Sequence, residues 1–145
     1  MIVYLNKINE LTKNKRSIVR KITTFYEHML KWKYWEDVNQ ENGWPNTIFN
    51  AMVDIYDISK NTNAYNHGNN NTRSCYINAT KIVKNKTNID VLFKDDGDLY
   101  KVFSNIDDIL NFEKVKDWML EEARTDSKKE SVRAGYNIHK IKIKK

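Results

Sequence analysis

The chain has 145 residues and a mass of 17.3 kDa, enough for one domain with its own hydrophobic core. Hydrophobic residues make up 40% of it and aromatic residues 12%, a composition that argues against disorder throughout. The mean hydropathy is −0.76, and no apolar run approaches the roughly 20 residues that a membrane span needs. The single cysteine, Cys75, excludes an internal disulfide and any metal site built from several cysteines.

The N-terminal residues 1–7 lack the basic and apolar segments of a signal peptide. Together with the single cysteine, this predicts a protein of the reducing cytoplasm. Lys, Asn and Ile are abundant, which is typical of an AT-rich genome and fits a bacterium or a phage.

The net charge of +6 is unevenly distributed along the chain. Residues 58–89 carry five basic side chains and no acidic one, whereas residues 90–127 carry eleven acidic and five basic ones. Residues 128–145 carry seven basic side chains and one acidic one. The basic blocks either neutralise the acidic block inside the fold or contact a polyanion. A solvated tail with no specific role is the third interpretation.

Helical periodicity dominates the N-terminal part of the sequence. Residues 3–12 have apolar side chains at helical spacing, and residues 15–36 carry the strongest apolar stripe of the chain. The opposite face of this second segment places Glu27 and Lys31 at the favourable i,i+4 spacing, which is typical of a solvated surface. Further helices are predicted over residues 46–58, 72–86 and 112–124.

Two segments between these helices have other patterns. Residues 61–71 are rich in asparagine and predict a polar loop or a frayed helix. Residues 89–93 and 99–103 are β-rich and flank an Asp-Gly turn, a pattern that predicts a hairpin. Asn105 follows, in a position where it can cap the N-terminus of a helix.

The C-terminal residues 136–144 alternate between apolar and basic side chains, which predicts a strand. That strand could pair with the hairpin, or with a second copy of the chain to form a homo-oligomer. We therefore expect a mainly α fold, or an α+β fold, with a short β-hairpin or terminal strand element. A single helical domain is expected over residues 1–127, and the terminal strand would lie beyond it and pack on that domain. A basic C-terminal tail follows over residues 128–145.

Two motifs carry a resemblance to a known family. A His-Met-Leu-Lys-Trp-Lys-Tyr run ends the long predicted helix, and a Gly-Trp-Pro-Asn-Thr-Ile run begins the next one. A Cys-Tyr-Ile-Asn-Ala-Thr-Lys run over residues 75–81 and a Phe-Ser-Asn-Ile-Asp-Asp-Ile-Leu run over residues 103–110 extend the pattern. Over about residues 5–112 the sequence therefore resembles the domain-of-unknown-function family number twenty-nine. The resemblance implies a mostly helical fold and no particular activity. We interpret its motif residues as structural, and these are His28, Lys31, Trp32, Trp44 and Thr47.

Candidate catalytic residues are few. Arg133 and His139 have the spacing of the Arg-x4–6-His motif of the HEPN ribonucleases, in which Arg stabilises phosphate charge and His transfers the proton. The sequence has no paired cysteines, no His-Glu-x-x-His motif and no glycine-rich phosphate loop. We therefore predict no metal and no cofactor.

Candidate binding residues are aromatic or basic. Tyr34 and Trp35 lie toward the end of the long helix, where their rings could contact a partner. The basic residues that could contact phosphates or an acidic protein are Arg73, Lys81, Lys84, Lys86, Arg133, Lys140, Lys142 and Lys144.

The leading hypothesis is a non-enzymatic binding module that engages RNA or a nucleic-acid-handling protein and does not enter a membrane. Analogy adds a phage-type inhibitor of a host defence nuclease as a specific form of this hypothesis. The alternative is a metal-independent, toxin-like ribonuclease that uses Arg133 and His139.

Overall fold

The computed structural model describes the backbone of residues 2–143 and the side chains of residues 12–140. Every regular element in this range is helical, so the mainly α class is confirmed. In chain order the elements are α1 (Ile2–Tyr34), a 3-10 turn (Glu41–Gly43), α2 (Trp44–Ile58), α3 (Thr62–Asn70), α4 (Thr72–Thr87), α5 (Val91–Asp95), α6 (Asp98–Val102), α7 (Ile106–Ile109), α8 (Phe112–Glu122) and α9 (Asp126–Ile143).

Helix α1 is the centre of the fold and packs against α2, α3 and α4. It combines the two predicted N-terminal helices into one, because no helix-breaking residue separates them. The predicted apolar stripe is confirmed, since all of its members are fully buried: Ile18, Ile22, Phe25, Met29 and Trp32. No helix within the described part of the chain combines the length and apolar character needed to cross a membrane.

The predicted polar segment 61–71 is helix α3, the frayed-helix alternative of the prediction. The Asn61 side chain accepts a hydrogen bond from the Ala64 backbone N–H at 3.0 Å and so caps its first turn. Asn105 caps α7 in the same way through the Asp108 N–H at 2.8 Å, as predicted. Short polar side chains therefore begin helices in a chain with little glycine or proline.

The predicted hairpin is wrong, because α5 and α6 occupy both of its strands. The Asp-Gly turn exists, and both Asp96 and Gly97 adopt left-handed backbone conformations, but it joins two short helices. The buried positions of this region are Val91, Asp95, Leu99 and Phe103, at a spacing of four. An aspartate in the inward stripe concealed the helical period from the sequence pattern.

The predicted terminal strand is also wrong, because residues 136–143 continue helix α9. The apparent alternation is accidental, since Ile138 is 58% exposed while His139 is buried. Helix α9 packs against α2 and α8, so the segment predicted as a basic tail contributes a helix to the packed domain. The homo-oligomer hypothesis depended on that strand and therefore loses its structural basis. Lys144, a predicted binding residue, lies outside the described residues.

A glycine allows α9 to approach α2 closely. A Cβ atom on Gly135 would lie 3.1 Å from the Phe49 ring and 3.2 Å from the Asn46 side-chain oxygen. Tyr136 beside it donates a hydrogen bond to Glu113 of α8. These contacts fasten α9 to two neighbouring helices at once.

The first turn of α9 also covers the C-terminal end of α1. Lys128 is 1% exposed, and its ammonium nitrogen lies 3.3 Å from the Trp32 carbonyl oxygen and 4.2 Å from the centroid of the Trp32 ring. The last carbonyls of a helix have no intrahelical donor and carry partial negative charge. Lys128 therefore supplies both a donor and a positive charge to the end of α1.

Replacing Lys128 with methionine should change how stability depends on pH. Burial lowers the pKa of Lys128 below its usual value of 10.5, an effect that Glu41 and Glu36 oppose and Arg124 reinforces. The unfolded chain then binds this proton more tightly, so the Lys128 contribution to the unfolding free energy rises with pH up to about 10.5. Urea unfolding at several pH values should show that the free energy of unfolding of the native chain increases relative to that of Lys128→Met as the pH rises. Lys94→Met, at an exposed position, is the matched control. A stability difference between the native chain and Lys128→Met that does not change with pH would contradict the expectation.

Candidate functional site

Helix α4 presents a row of basic side chains to solvent, which we call the basic stripe: Arg73, Lys81 and Lys84. Arg73 and Lys81 have no ion-pair partner among the side chains that the structure describes, and Lys84 lies 3.7 Å from the exposed Asp90 carboxylate. At 1.5 Å per residue, Arg73 and Lys81 are roughly 12 Å apart along the helix axis. The basic stripe is therefore extended and lacks internal neutralisation over most of its length.

Contacts on the opposite face of α4 determine which side chains point outward. The Cys75 thiol donates to the Val19 carbonyl of α1 at 3.5 Å, and the Thr72 hydroxyl donates to the Ser104 carbonyl at 2.8 Å. Burial raises the pKa of the Cys75 thiol, so it is a packing group and not an activated nucleophile. Because these residues face the core, the basic stripe must face solvent.

A cavity of about 300 Å³ lies between α4, α5 and α6, beside the basic stripe. Its less exposed lining includes Tyr76, Ile77 and Tyr100, while Arg73, Leu92 and Lys101 are exposed. The cavity thus combines aromatic and aliphatic walls with cations that solvent can reach. We call it the α4–α6 cavity.

A buried carboxylate holds one side of the α4–α6 cavity in place. Asp95 is fully buried and accepts hydrogen bonds from the Tyr34 hydroxyl at 2.6 Å, the Tyr76 hydroxyl at 2.5 Å and the Leu99 backbone N–H at 3.0 Å. Burial, followed by the hydrogen bonds to Asp95, raises the pKa of both tyrosine hydroxyls. The Gly97 N–H donates to the Tyr76 oxygen at 3.2 Å, which ties the turn between α5 and α6 to the same network.

Two apolar side chains stand exposed beside this cavity. Phe93 is 84% exposed and Leu92 is 43% exposed, and Leu92 also lines the cavity. Sequence reasoning missed both as binding candidates because the predicted hairpin assigned their segment to a strand. The sequence holds no local signal that separates exposed Leu92 and Phe93 from buried Val91 directly before them.

Both aromatic residues predicted to contact a partner make internal contacts. Tyr34 belongs to the Asp95 network. Trp35 stacks on Trp44, with ring centroids 5.7 Å apart and an interplanar angle of 24°. Neither ring is presented to solvent in the way that Phe93 is.

Lys86, a predicted binding residue, also makes an internal contact. Its ammonium nitrogen lies 2.9 Å from the Glu27 carboxylate, which Lys31 contacts at 2.8 Å. The prediction that Glu27 and Lys31 form a solvated pair is wrong, because they are only 7% and 5% exposed. Neighbouring helices that pack against α1 exclude water from this pair. The i,i+4 spacing of Glu27 and Lys31 alone does not reveal this burial.

The remaining family-motif residues also contact the protein itself. The Trp32 indole N–H donates to the Met119 carbonyl at 2.9 Å, and the Thr47 hydroxyl donates to the Gly43 carbonyl at 3.3 Å. His28 Nδ1 lies 3.0 Å from the Thr24 carbonyl, and burial lowers the pKa of this imidazole. The geometry supports a structural interpretation of the motif.

The structure does not bring Arg133 and His139 together. They lie roughly 120° apart around the α9 axis, and Arg133 contacts Glu130 at the surface, at 3.3 Å. His139 is 3% exposed, with Nδ1 2.8 Å from the Gly135 carbonyl and Nε2 2.7 Å from the Asn50 side-chain oxygen. Lys140 lies exposed on the same helix, and the side chain of Lys142 is outside the described range.

Metal chemistry finds no support in the described residues. No group of three or more His, Cys, Asp or Glu side chains among them is arranged to hold a metal ion. The acidic turn at residues 95–98 illustrates this, because Asp95 is saturated by hydrogen-bond donors. Its geometry is that of a structural anchor.

Comparison with protein families identifies one match. Residues 5–112 match the family described as Domain of unknown function DUF29, so the chain belongs to this family and the predicted resemblance is confirmed. Neither a curated protein nor a solved structure matches the chain. The matched range ends at the first residue of α8, so nearly all of α8 and all of α9 lie beyond it.

Proposed function

We propose that this member of the DUF29 family is a non-enzymatic, cytoplasmic binding module that engages RNA through α4. The observation that carries the proposal is the basic stripe, in which Arg73 and Lys81 are exposed without acidic partners among the described side chains. Such cations contact phosphates and release their counterions. Phe93 lies on α5, which packs against α4, and its 84% exposed ring is one on which a base can stack.

Charge explains why RNA is favoured over an acidic protein as the partner. Phosphates occur at every nucleotide of a strand, which suits cations spread along more than two turns of a helix. The exposed Leu92 and Phe93 support a second candidate, a nucleic-acid-handling protein with a hydrophobic and acidic surface. Inhibition of a host defence nuclease would be one form of that second candidate.

The ribonuclease alternative has less support from the geometry. A catalytic imidazole must reach the proton that it transfers, and His139 is buried against Phe49 with both ring nitrogens near oxygen atoms of the protein. Arg133 points away from it into solvent. Binding without cleavage is therefore the expected behaviour.

Replacing Arg73 and Lys81 together with glutamate should weaken RNA binding more than tenfold at low salt. The physical reason is the loss of two phosphate contacts and the gain of two repulsive charges. The dependence of log Kd on log salt concentration should also fall in slope, by about 0.7 for each lost contact to a single strand. Fluorescence anisotropy with a labelled single-stranded RNA, at low and physiological salt, measures both quantities.

The matched control makes the same change of net charge elsewhere. Lys60→Glu/Lys129→Glu should leave the affinity within about threefold of the native chain, since only long-range electrostatics change. If both double variants lose the same amount of RNA affinity, net charge alone explains the effect, and a binding site on α4 is contradicted. Gel analysis of the same RNA after incubation tests the alternative, because cleavage that His139→Ala abolishes would favour the ribonuclease.

A further inference from the structure

We propose that the α4–α6 cavity binds a single nucleobase, while Arg73 and Lys101 at its exposed side bind the adjoining phosphate. The inference rests on the proposed function and assigns its recognition element. A planar base needs a preformed slot with apolar faces, and a phosphate needs a cation within reach of that slot. The cavity offers both on one surface.

Contacts within the protein hold two walls of the cavity in place. Tyr76 is 3% exposed, and its ring is fixed by the Asp95 carboxylate and by edge contact with Tyr26 at 5.8 Å. Tyr100 is held through its hydroxyl, which lies 3.2 Å from the Thr72 hydroxyl. Preformed walls reduce the entropy lost on binding, which favours a small flat ligand.

The volume and the walls suit one base. About 300 Å³ lies at the lower end of the range of small-ligand sites. Ile77 and Leu92 supply aliphatic lining, and Tyr100 supplies the more accessible aromatic ring, since Tyr76 is only 3% exposed. The ring of Phe93, 84% exposed on the adjacent residue, offers a platform for a second base outside the cavity.

The charges indicate how the ligand is oriented. Arg73 has no acidic partner among the described side chains, and Lys101 is only loosely paired, 3.6 Å from the exposed Asp98. Asp96 also lines the cavity, as an exposed acceptor that can receive a hydrogen bond from an exocyclic amine. The phosphate therefore lies toward α4, where Lys81, roughly 12 Å farther along the helix axis, can receive a later phosphate of the same strand.

Base-bearing and abasic oligomers of equal length distinguish this inference from phosphate binding alone. The native chain should bind the base-bearing strand roughly 5- to 150-fold more tightly, the range expected for one stacked base. Leu92→Ala should remove most of that preference, and Arg73→Ala should weaken both strands, with partial recovery in Arg73→Lys. Ile138→Ala removes a similar exposed apolar side chain from α9 and should change nothing.

Nucleoside monophosphates used as competitors show the source of the base. If a nucleoside monophosphate displaces the labelled strand at concentrations similar to those of unlabelled strand, the ligand is a free nucleotide. If it displaces the strand only at much higher concentrations, the ligand is RNA. Equal affinity for base-bearing and abasic strands would overturn the inference and leave RNA binding intact, whereas no binding of either strand would overturn both. A base preference that Leu92→Ala leaves unchanged, or displacement by an acidic aromatic peptide but not by nucleotides, would also overturn it.

Discussion

Replacing Asp95 with alanine should lower the free energy of unfolding by about 4 kcal/mol, because two buried donors and one half-buried donor lose their acceptor at once. Those donors are the hydroxyls of Tyr34 and Tyr76 and the backbone N–H of Leu99. Tyr76 and Leu99 are buried, so their donors would be left without a partner inside the fold, whereas Tyr34 is half-buried. Thermal unfolding should show a decrease in Tm of roughly 10 °C.

An adjacent pair of substitutions separates the hydrogen-bond network from simple loss of charge. Asp95→Asn and Asp96→Asn each remove one carboxylate, but Asp96 is exposed whereas Asp95 is fully buried. Asparagine also tolerates the left-handed conformation of residue 96. Asp95→Asn should cost about 2 kcal/mol, since an amide provides one acceptor oxygen where the carboxylate provided two. Equal stability of the two asparagine variants would contradict the assigned role.

Replacing Glu27 with alanine should lower the free energy of unfolding by about 3–5 kcal/mol, the cost of leaving a buried charge unpaired. Its carboxylate lies 2.8 Å from the Lys31 ammonium, and both side chains are less than a tenth exposed. Lys86 contributes less, because that side chain is 55% exposed and remains solvated without its partner. Urea unfolding measures the loss.

Two controls test the interpretation of this pair. Glu27→Leu/Lys31→Leu removes both charges and should lie within about 1 kcal/mol of the native chain, since the desolvation cost of both ions disappears as well. Asp57→Ala breaks an exposed pair with Lys60 and should cost no more than about 0.5 kcal/mol. A double variant as unstable as Glu27→Ala would show that shape, and not charge, is essential there.

The Glu27 contribution should also depend on pH. Burial raises the pKa of its carboxyl, but hydrogen bonds from Lys31 and Lys86 outweigh burial and lower it below the usual value of 4.5. The folded chain therefore binds this proton less tightly than the unfolded chain does. The stability difference between the native chain and Glu27→Gln should be complete above about pH 4.5 and should shrink as the pH falls further. A difference that stays constant into acid would contradict it.

Local signals in the sequence determined a large part of the helical framework. The spacing of Ile18, Ile22 and Phe25 already defined the inward face of α1, because burial of a helix follows its apolar period. The side chain of Asn105 determined where α7 begins, since capping is a contact between residues three positions apart. Short motifs spread over residues 28–110 likewise indicated the family.

The candidate site was only partly predictable. The sequence identified Arg73, Lys81, Lys84 and Lys86 as basic candidates in a segment without acidic residues, because that absence is visible in one dimension. It did not show that Lys86 pairs with Glu27. It did not identify Phe93 or the cavity. Whether an apolar side chain is buried or exposed depends on which other helices cover it, and that information is not local.

Tertiary structure decided the rest, for one physical reason. A charge can occupy an inward position when distant groups satisfy it, as Tyr34 satisfies Asp95 and Trp32 satisfies Lys128. Each such charge interrupts the apolar period, so the sequence pattern around it predicts a turn, a strand or a solvated face instead of a buried helix position. The sequence by itself therefore determined the helices and the distribution of charge, while packing between distant segments determined which charges are buried. That packing also formed the cavity beside α4.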